Sequence, residues 1–431
     1  FLFLFYIYIL YIMSFYSDDN VKTRYLDPKI YVPGVEGGGR CTFELDQNEV
    51  AYLPNLRLTN IGVTIAAQTN YNSLVGALSI IRNIRLMDGK VELCSQNVFR
   101  FHRGFVNINK PNSVCEAVSS KLECSAVGFS QDGLNYKVGR IAKVLPADTL
   151  ASTTNTAWLD LREVFPMLNS ISHLPTAVFN NLRLEIELDS TRQNQVTMSE
   201  IQAQTTLRPV LAVDVLENPN IVDKMNRGLN GASWLEVEHD QFLIPATADN
   251  GGAGDQGVVQ NVNVKLNGFN NKRLERLLIV KAIGNAVTAQ AGGVVGLGMY
   301  ASQACFRQSL QYRVNGRNIL PAMDTSGNNR RLAQIVDNFG DCFAYIGSNQ
   351  YGGDNTAELN DARNLLGNLD YMGCYIGEYI NDLQLIYDRT GLEDTTAKRA
   401  TTDQLVAHVY GETRKILQLQ PGGQYRIAYA Q

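Results

Sequence analysis

The chain has 431 residues, 45% hydrophobic and 19% charged, so it is able to bury large cores and is not a disordered polymer. A formal net charge of −4 and the lack of any basic run give no electrostatic footprint for general nucleic-acid binding. Seven cysteines (Cys41, Cys94, Cys115, Cys124, Cys305, Cys342 and Cys374), with no C-x-x-C pair and no N-x-S/T acceptor, fit buried free thiols in a reducing compartment and not a secreted disulfide framework.

Residues 1–12 read FLFLFYIYILYI ahead of Met13. The apolar run reaches only to about Tyr16, short of the roughly 20 residues of a membrane span, and no charged n-region or small-residue cleavage site accompanies it. It is expected to be a leader upstream of the start at Met13, with a membrane anchor or signal as the alternative, and stands outside the fold reading. Residues 13–40 follow as an N-terminal arm, with Ser14 to Pro33 polar, aromatic and turn-rich.

Period-two alternation then dominates residues 41–217. Ile84 to Met87 runs into Asp88-Gly89 and returns through Lys90 to Leu93, a hairpin whose turn residues tolerate positive φ. Leu161 to Leu168 reads as a turn or two of helix broken at Pro166. Leu182 to Leu188 alternates strictly as a half-buried strand, and Val210 to Leu216 reads similarly. Residues 218–232 break the pattern with Asn218-Pro219-Asn220 and Gly228-Leu229-Asn230-Gly231, which marks a linker. Residues 233–431 resume with strands at Trp234 to Glu238, Val262 to Leu266 and Arg414 to Leu419, and a second hairpin turning at Asn315-Gly316. Arg331 to Phe339 and Ala357 to Leu366 have helical spacing and read as insertions between strands. No regular βαβ alternation is present, which argues against a parallel α/β fold. Each side has room for an eight-stranded sandwich. The two hairpin turns lie about half a chain apart, as a tandem duplication of one β fold would place them.

The search for chemistry is negative: no catalytic, cofactor-binding or metal-binding residue is assigned. His102, His173, His239 and His408 are far apart in sequence. Glu238-His239-Asp240 lies on a strand, where neighbours point to opposite faces and do not converge on one metal; an edge-strand or loop role is expected. Gly252 to Gly257 matches G-x-G-x-x-G without the strand-to-helix context that gives it meaning, and reads as a loop. Asp249 and Asp255 lack a spaced calcium-ligand loop. Gly128-Phe129-Ser130-Gln131-Asp132 lacks the closing glycine of a nucleophile elbow. Tyr351, Tyr371, Tyr375, Tyr379 and Tyr387 suit a core, a subunit contact or a sugar-binding face.

Three features carry a family resemblance. Gly76 to Gly89 forms a strand-turn unit ending in Asp-Gly, Trp158 to Phe165 precedes Leu174-Pro175 and the strand Leu182 to Leu188, and two all-β halves carry Gly/Asn-rich loops in the second. In this the chain resembles the double jelly-roll major capsid proteins of polinton-like viruses, virophages and the adenovirus-hexon lineage. The resemblance implies an all-β fold of two tandem eight-stranded jelly rolls with short helical insertions. It implies a non-enzymatic capsid protein of a double-stranded DNA virus, without cofactor, that forms homotrimeric pseudo-hexagonal capsomers tiling an icosahedral shell. The implied location is the virion, after assembly inside the host cell. Vertex penton and minor capsid proteins are the implied partners, with no sequence-specific nucleic acid and no membrane span. The alternatives are a carbohydrate-binding or carbohydrate-active sandwich, a vertex or minor capsid protein, and a cellular adhesion module.

Overall fold

The computed structural model describes residues 21–33, 38–45, 51–62, 69–71, 75, 77–109, 122, 128–132, 135–139, 156–174, 178–179, 181–188, 196–198, 206–228, 231–244, 260–283, 307–319, 323–324, 337–339, 371–390, 405–420 and 424–430. The first half comprises β1 (Val21–Leu26), β2 (Ile30–Val32), β3 (Gly39–Glu44), β4 (Ala51–Ile61), β5 (Thr69–Tyr71), β6 (Ile81–Asp88), β7 (Val91–Gln96), β8 (Gly128–Asp132), β9 (Asn135–Gly139), β10 (Ala157–Asp160), β11 (Leu182–Leu188), β12 (Val196–Met198) and β13 (Val210–Leu216). The second comprises β14 (Ala232–Ile244), β15 (Gln260–Lys265), β16 (Lys272–Ile283), β17 (Arg307–Val314), β18 (Arg317–Asn318), β19 (Met323–Asp324), β20 (Tyr371–Ile380), β21 (Leu383–Thr390), β22 (Leu405–Gln420) and β23 (Gln424–Tyr429).

The pairing repeats. One sheet of the first half has the order β1-β13-β4-β10, and one sheet of the second has β14-β22-β16-β20. The facing sheets contain β3-β11-β6-β7 and β15-β21-β17-β18. Taken in chain order within each half, first with first, second with second and so on, the eight positions of one half (β1, β3, β4, β6, β7, β10, β11, β13) map onto those of the other (β14, β15, β16, β17, β18, β20, β21, β22). Both hairpins hold corresponding places, β6–β7 and β17–β18. Gly89 at φ +58°, Asn315 at +50° and Gly316 at +80° supply the left-handed backbone these turns require. The two-sheet, eight-strand order is a jelly roll, present twice.

Alternation builds the cores. In β11, Leu182, Leu184, Ile186 and Leu188 are buried, while Arg183, Glu185 and Glu187 stand on the other face. There Glu187 accepts from Asn83 at 2.5 Å, and Glu185 pairs with Arg85 at 3.3 Å. Cys41, Phe43, Leu58 and Leu86 join the same core. Leu277, Ile279, Leu310, Tyr312, Leu385 and Val409 make the second. Each such side chain contributes about 1.5–3 kcal/mol by leaving water.

Two expectations change. The segment read as an arm supplies β1 and β2. All six residues of β1 pair with β13, from Val21 opposite Leu216 to Leu26 opposite Leu211, and β2 pairs with β3. In the first jelly roll β1 takes the place β14 takes in the second, so residues expected to form an arm are part of its sheet. The strand was hard to read because it buries little. It is held by Thr23 Oγ1 donating to Asp214 at 2.7 Å and by Lys22 and Arg24 on Glu217, each at 2.6 Å. The residues expected to form a linker also include a helix, Pro219–Gly228, whose Val222 packs with Ala51, Leu53 and Leu216. Leu161 to Leu168 forms the expected short turns, a 3-10 turn at Leu161–Glu163 and a helix at Met167–Ser170. Of Arg331 to Phe339, only 337–339 are described, and they are helical. Residues 1–20, Gly252 to Gly257 and Ala357 to Leu366 lie outside the described residues.

Because β1 completes a sheet, removing Met13 to Pro33 is expected to destabilise the isolated chain. A lower thermal midpoint by calorimetry, and not only defective assembly, is the expected result.

Candidate functional site

The described residues converge on a seam between the two jelly rolls, and register explains how. Leu278 lies opposite Tyr410, and Tyr410 opposite His239; Val280 lies opposite His408, and His408 opposite Gln241. Paired residues share a face, so these form two rows on the side of the sheet away from the second core. Leu278, Val280 and Tyr410 are buried in the first half's hydrophobic cluster, whereas Leu277, Ile279 and Val409 belong to the second's. The run Leu277 to Val280 is therefore apolar without alternation because both faces are covered.

The first half meets these rows with the helix Phe99–Asn109, which follows β7. Phe101 stacks on His408 at 4.5 Å between centroids, and His102 lies 5.3 Å from Tyr410. Phe105 meets Phe339 edge-on at 5.1 Å, and Phe179 meets Tyr425 at 5.0 Å. Among the described residues, hydrogen bonds cross the seam in both directions. Tyr410 Oη donates to the Val98 carbonyl at 2.8 Å, Tyr425 Oη donates to Asp88 at 2.7 Å, and the Ser95 amide donates to Glu236 Oε1 at 2.7 Å.

Glu236 is 1% exposed. Trp234 Nε1 donates to its other oxygen at 2.7 Å, and Lys415 Nζ stands 3.9 Å from the carboxylate. Burial raises its pKa to about 7, against the opposing pull of Lys415, the Ser95 amide and Trp234. Lys415 and Lys272 both lie over the Tyr429 ring, at 5.5 and 4.7 Å, and Lys272 also pairs with Glu238. Burial and the neighbouring acids push the Tyr429 hydroxyl up.

The histidines were read as scattered, yet three of the four gather at this seam. His239 Nε2 lies 3.1 Å from His408 Nδ1, and Gln96 Nε2 bonds His102 Nδ1. The signal available in sequence was the apolar run on β16 together with alternating His408 and Tyr410 on β22. His173 is buried elsewhere, 2.9 Å from Ser172 Oγ. Glu238, His239 and Asp240 diverge to Lys272, His408 and the Gly268 amide, as strand geometry requires. β14 is an edge strand by pairing, with His239 facing the seam. Ser130 lies on β8 of a hairpin, away from any strand-to-helix turn. Tyr375 and Tyr379 are exposed on β20, whereas Tyr387 is 1% exposed in the second core, so the tyrosines do not share one surface. Cys41, Cys94 and Cys374 are buried free thiols, and burial pushes Cys41 up to about 12. Among the described residues no three His, Cys, Asp or Glu side chains group as metal ligands, and no helix is long and apolar enough to cross a membrane.

No protein-family profile matches the sequence, and no curated protein matches it. Solved structures do. The Sputnik virophage structure at 3.5 Å resolution aligns with a TM-score of 0.55 at 8% identity, over 95% of this chain and 88% of that one. The mavirus major capsid protein aligns with a TM-score of 0.53 at 9% identity, over 96% and 90%. PBCV-1 VP54, fitted into a reconstruction of Sputnik, gives 0.53 at 11% identity over 96% and 97%. The fold is the double jelly roll of viral capsid proteins. The likeness runs through both halves of the double jelly roll.

Glu236 gives this seam a measurable signature. Its pKa is raised on folding from 4.5 to about 7, so the ionised form costs stability, fully felt above pH 7 and relieved as pH falls toward 4.5. Glu236→Gln is expected to remove up to about 3 kcal/mol of that pH dependence, read as the difference in urea-unfolding free energy between pH 4.5 and 8 for the two proteins.

Proposed function

We propose that this chain is the major capsid protein of a double-stranded DNA virus, assembling as homotrimeric, pseudo-hexagonal capsomers that tile an icosahedral shell. The observation that carries the reading is the double jelly roll itself, two copies of one strand order joined through a continuous buried seam, with alignment to capsid structures over nearly the whole chain. Two similar blocks per chain and three chains give six similar blocks around a closed ring. The protein acts by packing and not by catalysis, within the virion, alongside vertex and minor capsid proteins. Weak contacts between rings multiply over a shell, so no single one has to be strong.

Exposed apolar side chains on sheet edges supply the contacts in this reading. Tyr25 on β1 is 73% exposed and Tyr375 on β20 56%, with Tyr379, Ile30 and Val32 also exposed. Edge strands with such side chains are ready to be covered. Light scattering after size-exclusion chromatography of Met13–Gln431 should give three chain masses, with hexagonal outlines in negative stain. A stable monomer that never associates counts against the proposal. Tyr375→Ser with Tyr379→Ser should raise the dissociation constant of the assembly at least tenfold with unchanged far-UV circular dichroism.

A further inference from the structure

Three histidines stand around one seam tyrosine: His102 and His239 lie 5.3 and 5.1 Å from the Tyr410 ring, and His239 bonds His408. His102 comes from the first jelly roll; His239 and His408 come from adjacent strands of the second. The His239–His408 bond needs one ring nitrogen to donate and the other to accept, so it cannot survive protonation of both rings. His102 Nδ1 accepts from Gln96, which holds that nitrogen unprotonated. Phe101 covers His408 on one side. His102 and His239 keep partly exposed edges, and His239 lines an open cleft of about 310 Å3 with Arg82, Asn83, Asn97, Val98, Asp240 and Gln241. Water thus reaches His239, and through it the His239–His408 bond, without prior unfolding.

We propose that the His102–His239–His408 cluster is an acid-released latch that holds the two jelly rolls together when neutral and lets them part when protonated.

The charges around it favour release. The helix Phe99–Asn109 presents Arg100 and Arg103; Arg103 is engaged with Glu163 at 2.6 Å. From β6, Arg82 reaches the cleft while pairing with Glu187 at 3.4 Å. β22 adds Tyr410, and β16 offers only Val280 opposite His408. Asp240 is the acid that pulls on His239, and its oxygens are already occupied by the Gly268 and Gln241 amides. Glu412, on the same strand face, is held by Arg276 at 2.7 Å. Imidazolium formed here therefore meets fixed positive charge with little to balance it. Burial lowers the pKa of His102 and His408 to about 3 and that of His239 to about 4, below the ordinary 6.5. A group lowered in the closed state stabilises closure fully above 6.5, and that contribution is lost as pH falls below it.

Backbone strain works in the same direction. Val98 sits at φ +49°, a conformation costly for a β-branched residue. It is held by Asn83 Oδ1 accepting from its amide at 2.9 Å and by Tyr410 donating to its carbonyl from the other half. Parting the halves removes the second restraint and lets the strain relax.

Glu236 opposes the latch, since opening lowers its pKa from about 7 and sheds a proton between pH 6.5 and 4.5. Three protons gained and one lost leave a net uptake of two, so the opening constant should rise by up to about 100-fold per pH unit in that window. Hydrogen exchange on the full-length assembled protein tests this, corrected for intrinsic rates, with the Ser95 amide as reporter because it donates across the seam. Expected is a steep loss of Ser95 protection on acidification while β17 and β21 amides stay protected. His239→Gln, which keeps a hydrogen bond to His408, should cut the slope to about 10-fold per pH unit, and so should His408→Gln. A slope unchanged in both variants, no slope in the wild type, or loss of protection in β17 and β21 together with the seam overturns the proposal. Should a variant fail to fold, the wild-type slope alone decides it. Trimer mass measured in parallel separates this outcome from failure of the capsid reading, because the latch lies within one chain.

Discussion

The structure depends on the two central strands of one sheet, β16 and β22 of β14-β22-β16-β20, being buried on both faces. A β-sandwich needs only its inner faces covered, and its outer faces are ordinarily left to water. Here Leu277 and Ile279 fill the second core while Leu278 and Val280 turn into the first half's hydrophobic cluster. Two jelly rolls thereby become one body: neither is able to leave without exposing Leu278, Val280, Tyr410 and Trp234. Inter-domain interfaces within a chain are usually polar and mobile, and an apolar one of this kind fixes orientation.

Polar groups then specify the angle at which the halves meet. Glu236 is satisfied jointly by Ser95 of one half and Trp234 of the other, and Tyr410 and Tyr425 reach across in the opposite direction. A buried carboxylate that loses a partner costs several kcal/mol, so a slipped arrangement is penalised more than the correct one is rewarded. Apolar burial supplies the attraction, and the hydrogen bonds select the geometry.

The sequence carried the strands that alternate and the turns that need special backbone. Leu182 to Leu188, Asp88-Gly89 and Asn315-Gly316 each have a local physical cause, and they stand where expected. Strand β1 was misread as an arm because VKTRYL owes its place to ion pairs and to a partner 190 residues away, neither visible locally. The helix Pro219–Gly228 was read as linker because Asn, Pro and Gly dominate its flanks. The histidine cluster was missed for a related reason: Phe99–Asn109 and β14 lie far apart in sequence and are brought together only by tertiary packing. What was legible at the seam, the unbroken Leu277 to Val280 run, was a sign of two covered faces.

The strand β22 closes the second jelly roll, and it spans residues 405–420 near the end of the chain. It pairs with β14 along thirteen residues, with β16 from Leu405 to Thr413 and with β23 from Lys415 to Gln420. The corresponding strand of the first jelly roll, β13, ends at Leu216. During synthesis the first jelly roll thus has every strand it needs when about half the chain has emerged. The second waits for residues 405–420, with β14 and β16 lacking until then the strand that lies between them. Through that interval the growing polypeptide displays the two unpaired strand edges most prone to wrong association. The first jelly roll, already folded, offers Phe101 and its neighbours as a surface on which those strands collect, so the order of translation places the template before the part that needs it.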